Sequence, residues 1–223
     1  MKYYPINLDI NGRNCLVVGG GAVGLRKVNT LLDCGARVTV VSPEVESQIE
    51  QMAQKGRVQL ERRAYTTSDL DGKFLVIGAT DDNTLNRKIS WDAGRKKMLC
   101  NIADVPDACN FILPSIVQRG DLIVAISTSG SSPAFAKTLR KELEARYGEE
   151  YGDLLALMSA IRSRLLSQAH APEAHKPLFE KLLKENLLDL VRKRDVSRIN
   201  ALLAEVLGEG FDFEELTGGD YSP

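Results

Sequence analysis

The sequence predicts an α/β protein: a doubly wound parallel sheet, then a small β-hairpin with a helix, then a helical C-terminal part. Three observations carry this expectation. Short apolar runs alternate with helical periodicity from Asn14 to Asp104, and strands alternating with helices build a parallel sheet. The first apolar run, Asn14-Cys15-Leu16-Val17-Val18, ends in Gly19-Gly20-Gly21-Ala22-Val23-Gly24 and turns into a helical pattern. After Asp104 the period changes, first to two strand-like runs around Arg119-Gly120-Asp121 and then to helix alone.

The elements follow in order. Residues 14–18 form the first strand and 22–33 the first helix, which Gly35 stops as a C′ glycine. Residues 37–41 are the second strand, and Ser42-Pro43 reads as N-cap and N1 of a helix reaching Lys55. Residues 58–62 are a third strand. Residues 73–79 are a fourth, and its nearly unbroken apolar run suits an inner parallel strand. Residues 82–97 are a helix and 98–102 a fifth strand. Beyond lie strand-like runs at 111–117 and 122–127, then a helix opened by Ser132-Pro133 that ends near Tyr147. From 149 to 207 the pattern is helical, interrupted at His170-Ala171-Pro172 and Lys176-Pro177, and the tail is expected to fray. The implied domains are 1–112, 113–148, 149–210 and a flexible tail at 211–223.

The glycines have separate physical tasks. G-x-G-x-x-G between strand and helix is the Rossmann dinucleotide fingerprint. Gly19 permits the tight turn, Gly21 lets a pyrophosphate approach the backbone, and Gly24 lets the helix pack on the strand. The free N–H groups at the helix start then face the phosphates. An NAD site usually places an acid at the end of the second strand. Here Ser42 stands in that place and Glu44 follows two residues later. This leaves NAD against NADP open, with a tilt to NAD because no Arg or Lys follows Val41.

Composition excludes several classes. The 223 residues are 43% hydrophobic and 26% charged, with net charge −1, so the basic footprint of a nucleic-acid binder is absent. No apolar run nears the length of a membrane span, and the first residues lack the apolar core of a signal peptide. Cys15, Cys34, Cys100 and Cys109 show no C-x-x-C spacing and read as reduced, mostly buried thiols of a cytoplasmic protein. His170 and His175, five apart in a Pro-containing turn, read as a solvated pair, and no metal site is expected.

Ligands of such sheets bind at the carboxyl ends of the strands. Thr80 and Asp81 follow the fourth strand, where small residues let a cofactor lie close, and Asp81 or Asp82 caps the next helix. Asp104 follows the fifth strand, beside the expected nicotinamide position. It is a candidate proton acceptor, although Asp104-Val105-Pro106-Asp107 is also good turn chemistry.

Five segments in order carry a resemblance: Val17 to Gly24 with Arg26-Lys27, Ala79 to Asp82, Cys100 to Asp104, Phe111 to Ser115 and Ile126 to Pro133. Together they resemble the precorrin-2 dehydrogenase/sirohydrochlorin ferrochelatase family, the N-terminal module of siroheme synthases, over about residues 1–210. The resemblance implies NAD as cofactor, oxidation of precorrin-2 to sirohydrochlorin and, in many members, insertion of Fe2+. It also implies a homodimer formed through the middle segment and a helical domain closing the active site. Asp104 matches the family's catalytic aspartate. Ala22-Val23 and the stretch near Pro43-Glu44 match its cofactor contacts. Asn101 and Ser115 fall in matched segments and are candidate substrate contacts. Thr128 stands where a fused relative has a serine, and Gly24 where relatives often have alanine, a change expected to be harmless to packing.

The substrate of that family is a polycarboxylate tetrapyrrole, so basic groups should line its cleft. Arg119, Lys137, Arg140 and Lys141 are the candidates, the last three on one helix face. A lone two-stranded unit is marginal, so Ile112, Ile116, Leu122, Val124 and Ile126 are expected to pair across a dimer, the alternative being their own chain's sheet. An NAD-sensing regulatory module without catalysis is the competing functional reading. A dehydrogenase of a small amino or hydroxy acid also fits the fold, but leaves the Asn101–Asp104 and Ser127–Pro133 segments unexplained.

Overall fold

The computed structural model describes residues 2–168 and 172–218. The chain divides into two compact units, Met1–Leu113 and Pro114–Pro223.

The first unit is a five-stranded parallel sheet in the order β3-β2-β1-β4-β5. Its strands are β1 (Asn14–Gly20), β2 (Arg37–Val45), β3 (Val58–Glu61), β4 (Leu75–Gly78) and β5 (Leu99–Ile102). The helices are α1 (Ala22–Asp33), α2 (Ser47–Gln54) and α3 (Asn83–Arg95). Side chains alternate across a strand, and each face receives its own core. Cys15, Val17, Val38, Val40, Leu75 and Ile77 pack with Val28 and Leu31 of α1 and Ile49 of α2. Leu16, Val18, Val41, Val76, Cys100 and Ile102 pack on the other face with Ile89 and Ala93 of α3. Burial pushes the Cys15 thiol up to about 11 and the Cys100 thiol up to about 12. Both are inert packing groups.

One boundary differs from the sequence reading. Ser42-Pro43 does not open a helix. β2 continues to Val45, and the register against β1 jumps from Val18↔Val41 to Gly20↔Val45. Ser42, Pro43 and Glu44 therefore stand against Gly19 alone, a bulge with two extra residues, closed by the Ser42 hydroxyl donating to the Glu44 carbonyl at 2.6 Å. The Ser-Pro cap signal loses to strand pairing. The same signal holds at Ser132, whose hydroxyl accepts from Phe135 N–H at 3.2 Å. Asp82 caps α3, accepting from Thr84 and Leu85 N–H.

A polar knot ties α3 to the short 3-10 turn over Thr67–Leu70. The Asp92 carboxylate accepts from Tyr65 Oη at 3.1 Å, Thr67 Oγ1 at 2.8 Å and Lys88 Nζ at 2.8 Å. Burial alone would raise the Asp92 carboxyl. The three hydrogen bonds outweigh burial and hold it below the usual carboxylate range.

The second unit carries an antiparallel hairpin, β6 (Ser115–Arg119) and β7 (Leu122–Ile126), and the helices α4 (Pro133–Arg146), α5 (Glu150–Ser167), α6 (Pro172–Lys184), α7 (Leu187–Lys193), α8 (Val196–Leu207) and α9 (Phe213–Thr217). Val117 and Ile126 pack on Ala136, Leu139 and Leu143 of α4. The hairpin turn lies so close to α5 that a Cβ on Gly152 would meet the Arg119 carbonyl carbon at 3.0 Å. α5 to α9 bury a separate core around Leu157, Ile161, Leu182, Ile199 and Leu203. Two expectations are corrected here. The stretch from Phe211 to Gly218 is anchored rather than frayed, because Phe211 and Phe213 sit in that core. His175 lies within α6 and is buried, not in a solvated turn; His170 is outside the described residues. Among the described residues no helix is long and apolar enough to cross a membrane.

The Asp92 knot gives a signed test. A carboxyl held low contributes stability above its unfolded value and loses it as pH falls through the folded value. Asp92→Asn is expected to cost about 2 kcal/mol at neutral pH. The gap from wild type should shrink below about pH 4, as read by denaturant unfolding across pH.

Candidate functional site

The site grows from the β1–α1 turn. Gly19 sits at φ +110°, where a side chain is strained, and a Cβ there would lie 2.2 Å from the Ala79 carbonyl oxygen at the end of β4. A Cβ on Gly24 would lie 2.1 Å from the Gly19 carbonyl oxygen. The backbones of the turn, the helix and β4 are thus in contact, and only hydrogen fits at both positions. This close approach is what the sequence expects of Gly24; an alanine there would need the turn to open. Gly21 is different, since nothing lies within 4 Å of where its Cβ would be. Gly21 is also the N-cap of α1 and supplies no side-chain cap. The first amides of α1 therefore face open space over a glycine, which fits a dinucleotide pyrophosphate.

From that turn a cleft extends past the ends of β4 and β5. Its walls include Val23 of α1, Ala79, Thr80 and Asp81 after β4, and Ala103 and Asp104 after β5. Thr80 is turned partly inward, its hydroxyl donating to Asn86 Oδ1 at 2.9 Å while Asn86 Nδ2 returns to the Thr80 carbonyl at 2.8 Å. This exchange sets the floor of the cleft and leaves Asp81 exposed. Ser42, Pro43 and Glu44 lie in the β2 bulge on the other side of the glycine turn. A Cβ on Gly20 would meet the Glu44 carbonyl oxygen at 2.5 Å, so the bulge rests directly on the turn.

Asp104 occupies the left-handed region at φ +59°, a conformation unusual for a non-glycine residue but tolerated by Asp. The segment after it explains how this is held. β5 is an edge strand, and side chains replace the missing neighbour. Asn110 Oδ1 accepts from Cys100 N–H at 2.9 Å, and its Nδ2 donates to the Met98 carbonyl at 2.7 Å. Cys109 Sγ accepts from Ile102 N–H at 3.1 Å and lies 3.3 Å from both the Ile102 and Val105 carbonyls. Asn101, buried, donates to the Phe111 carbonyl at 3.1 Å. The candidate substrate contact Asn101 thus braces the loop that presents Asp104. Cys109 and Asn110 went unassigned in the sequence because an isolated cysteine and asparagine in a loop carry no periodic signal.

Lys27, which the sequence marks only as part of a matched segment, also lies near this site. It is half-buried on α1. Burial and the neighbouring Arg26 push its ammonium below the ordinary lysine range, while Asp104 and Cys109 act in the opposite sense.

The remaining candidates fall in the second unit. Arg119 is committed to structure, donating Nε to the Tyr147 carbonyl at 2.9 Å and Nη2 to the Glu144 carbonyl at 3.1 Å at the end of α4. Arg140 pairs with Glu144. Lys137 and Lys141 are exposed on α4. Ser115 begins β6. Thr128 Oγ1 accepts from Ser132 N–H at 3.1 Å and shapes the turn before α4. A hollow between α5 and α6, lined by Arg162, His175, Phe179 and Leu183, has no glycine turn and does not resemble a cofactor site. No cluster of three metal-ligating side chains occurs among the described residues.

With this geometry in hand the comparisons are informative. Residues 6–115 match the family model described as putative NAD(P)-binding, and residues 119–146 match the one described as sirohaem biosynthesis protein central. The siroheme synthase of Nitrosococcus oceani is 37% identical over 211 residues, covering 95% of this chain and 45% of that protein. The siroheme synthase of Pseudomonas entomophila is 41% identical over 165 residues, 74% of this chain and 36% of that protein. The solved structure of SirC, a precorrin-2 dehydrogenase, superimposes with a TM-score of 0.78 at 27% identity, covering 92% of this chain and 99% of that one.

The chain belongs to the precorrin-2 dehydrogenase/siroheme synthase family. It spans about half the length of the curated siroheme synthases it matches, and nearly the whole of SirC. The fold is the Rossmann-like sheet, hairpin and helical part that the sequence predicts, and the cofactor of the family site is NAD. The glycine turn, the uncapped start of α1 and the open space over Gly21 all lie within the matched NAD(P)-binding segment.

Gly19→Ala tests the turn. The substitution adds both a strained φ and a 2.2 Å clash with main chain. It is expected to cost roughly 1–3 kcal/mol of stability and to abolish measurable NAD binding, read by thermal melting and isothermal titration.

Proposed function

We propose that the chain oxidises precorrin-2 to sirohydrochlorin, with NAD as electron acceptor. The carrying observation is the pairing of the glycine turn with Asp104 across one cleft. The extent of the likeness to SirC supports the same reading. A regulatory NAD sensor would account for the sheet but not for a match that continues through the central segment.

In this reading precorrin-2 loses two electrons and two protons overall. Bound NAD supplies the hydride acceptor at C4 of its nicotinamide. Asp104 takes the accompanying proton on a carboxylate oxygen and passes it to solvent, to which it is exposed. Val23 and Ala103 give the reacting end of the cleft apolar walls, and the uncapped α1 amides hold the pyrophosphate. Ferrous iron enters, in the same reading, as a second substrate, with Asp104 accepting pyrrole protons as sirohydrochlorin closes around the metal. Asn101, Ser115, Thr128 and Lys137 are the proposed substrate neighbours, Lys137 as a carboxylate partner. The four cysteines are free, in keeping with a reducing cytoplasm.

A second copy of the chain is the proposed partner of the hairpin. Ile116 and Ile123 lie on the hairpin face opposite Val117 and Ile126, and both are exposed. An apolar face of this kind marks an interface, and a closed homodimer is its simplest cover.

The deciding experiment is anaerobic addition of precorrin-2 and NAD to the purified chain, following NADH and the sirohydrochlorin spectrum together. Both are expected to rise in step. NAD binding without either rise defeats the reading, and adding Fe2+ afterwards tests insertion. Asp104→Asn is expected to slow the oxidation about 100-fold or more with NAD affinity unchanged. Ile116→Lys with Ile123→Lys is expected to halve the mass seen by light scattering; an unchanged mass removes this face as the dimer contact.

A further inference from the structure

The turn after β4 is held by one buried amide. Asn86, 2% exposed, reaches from α3 to Thr80 and meets it twice. Its Nδ2 donates to the Thr80 carbonyl at 2.8 Å, and its Oδ1 lies 2.9 Å from the Thr80 hydroxyl. α3 comes this close because β4 ends in glycine. A Cβ on Gly78 would stand 3.3 Å from Asn86 Oδ1 and 2.6 Å from Ile102 Cδ1. Thr80 and Asn86 both line the cleft that holds Val23 and Asp104.

These contacts decide where the Thr80 proton goes. A carbonyl oxygen only accepts, so the Asn86 nitrogen must face the Thr80 carbonyl, which turns the Asn86 oxygen to the hydroxyl. That oxygen also only accepts, so the Thr80 hydroxyl donates. The Asp82 carbonyl, 3.2 Å from the same hydroxyl, is an acceptor too. A hydroxyl has one proton and two acceptor lone pairs. With the proton committed to the protein, Thr80 offers a ligand lone pairs alone. Asp81 and Asp104, exposed on the same cleft, accept only when ionised. Among the described residues the cleft lining carries no lysine or arginine. This end of the cleft therefore suits a group that donates hydrogen bonds and bears no phosphate.

The strand order says which part of the cofactor that is. β2 lies on one side of β1, and β4 with β5 on the other. In this fold the pyrophosphate sits at the start of the helix after β1, and the adenosine ribose goes to the end of β2. The β4 side is left for the nicotinamide riboside half, whose donors are ribose hydroxyls and a carboxamide NH2. We propose that Thr80 Oγ1 accepts a hydrogen bond from a hydroxyl or amide donor of that half, and that Asn86 is the positioning residue that orders the Thr80 proton away from it. This rests on NAD lying in this cleft.

Isothermal titration of the full chain with NAD, ADP-ribose and ADP tests it. Thr80→Val keeps the side chain's volume and removes the acceptor. It is expected to weaken NAD binding about 5-fold and to leave ADP, which lacks the second riboside, unchanged. Thr80→Ser keeps the hydroxyl and is expected to restore most of the affinity. An ADP-ribose loss equal to that of NAD assigns the donor to the ribose, and a loss for NAD alone assigns it to the carboxamide. Unchanged NAD affinity in Thr80→Val, the same loss in Thr80→Ser, or an equal loss for ADP overturns the assignment. In Asn86→Ala the proton is no longer ordered, so adding Thr80→Val is expected to change NAD binding by less than about twofold. A further loss as large as in the wild-type background overturns the role of Asn86. The two Thr80 variants decide the acceptor without Asn86→Ala. NAD binding without precorrin-2 oxidation defeats the functional reading alone, while a wild-type chain that binds no NAD overturns this assignment as well.

Discussion

Main-chain contact at the β1–α1 turn is the constraint on which the rest of the first unit depends. Gly19 touches Ala79 at the end of β4, and Gly24 touches Gly19. Two absent Cβ atoms allow α1 to begin directly over the carboxyl edge of the sheet. That placement aims its first amides at open space and brings Val23 to the cleft wall opposite Asp104. A wider turn would still make a parallel sheet, but it would separate the uncapped helix start from the strand ends that carry Asp104, the proposed proton acceptor.

The other half of the cleft is held by polar side chains rather than by close packing. Among the described residues β5 has no strand beyond it, and unpaired backbone groups at a partly buried edge are costly. Asn110 and Cys109 answer that need and, in doing so, define the path of the loop through Asp104. The left-handed conformation of Asp104 is a consequence of this stitching. A sparsely populated backbone conformation persists where surrounding groups over-determine it, and here those groups are identifiable.

The second unit shows what happens to two of the charges that are candidates for binding a polycarboxylate. Arg119 looks free in a hairpin turn, yet its guanidinium satisfies the last carbonyls of α4, a demand every helix end makes. Arg140 finds Glu144 one turn along its own helix. Gly120 and Gly152 let the turn lie against α5. The hairpin is thereby secured on one face only, while Ile116 and Ile123 remain uncovered on the other.

Local signals were read correctly wherever one interaction dominates. The strand–helix alternation, the tight turn at Gly19, and the caps at Asp82 and Ser132 all depend on neighbours a few residues away, so the amino-acid sequence by itself determined them. It misread Ser42-Pro43 as a helix start, since strand pairing with β1 outweighs a local cap there. It misread His175 and the 211–218 stretch as solvated, since burial depends on where a helical core closes rather than on nearby polarity. The Lys27 environment, the Cys109–Asn110 stitching and the Arg119 staple were decided by tertiary structure alone. Each joins groups whose spacing carries no periodic signature, and only folding makes them neighbours.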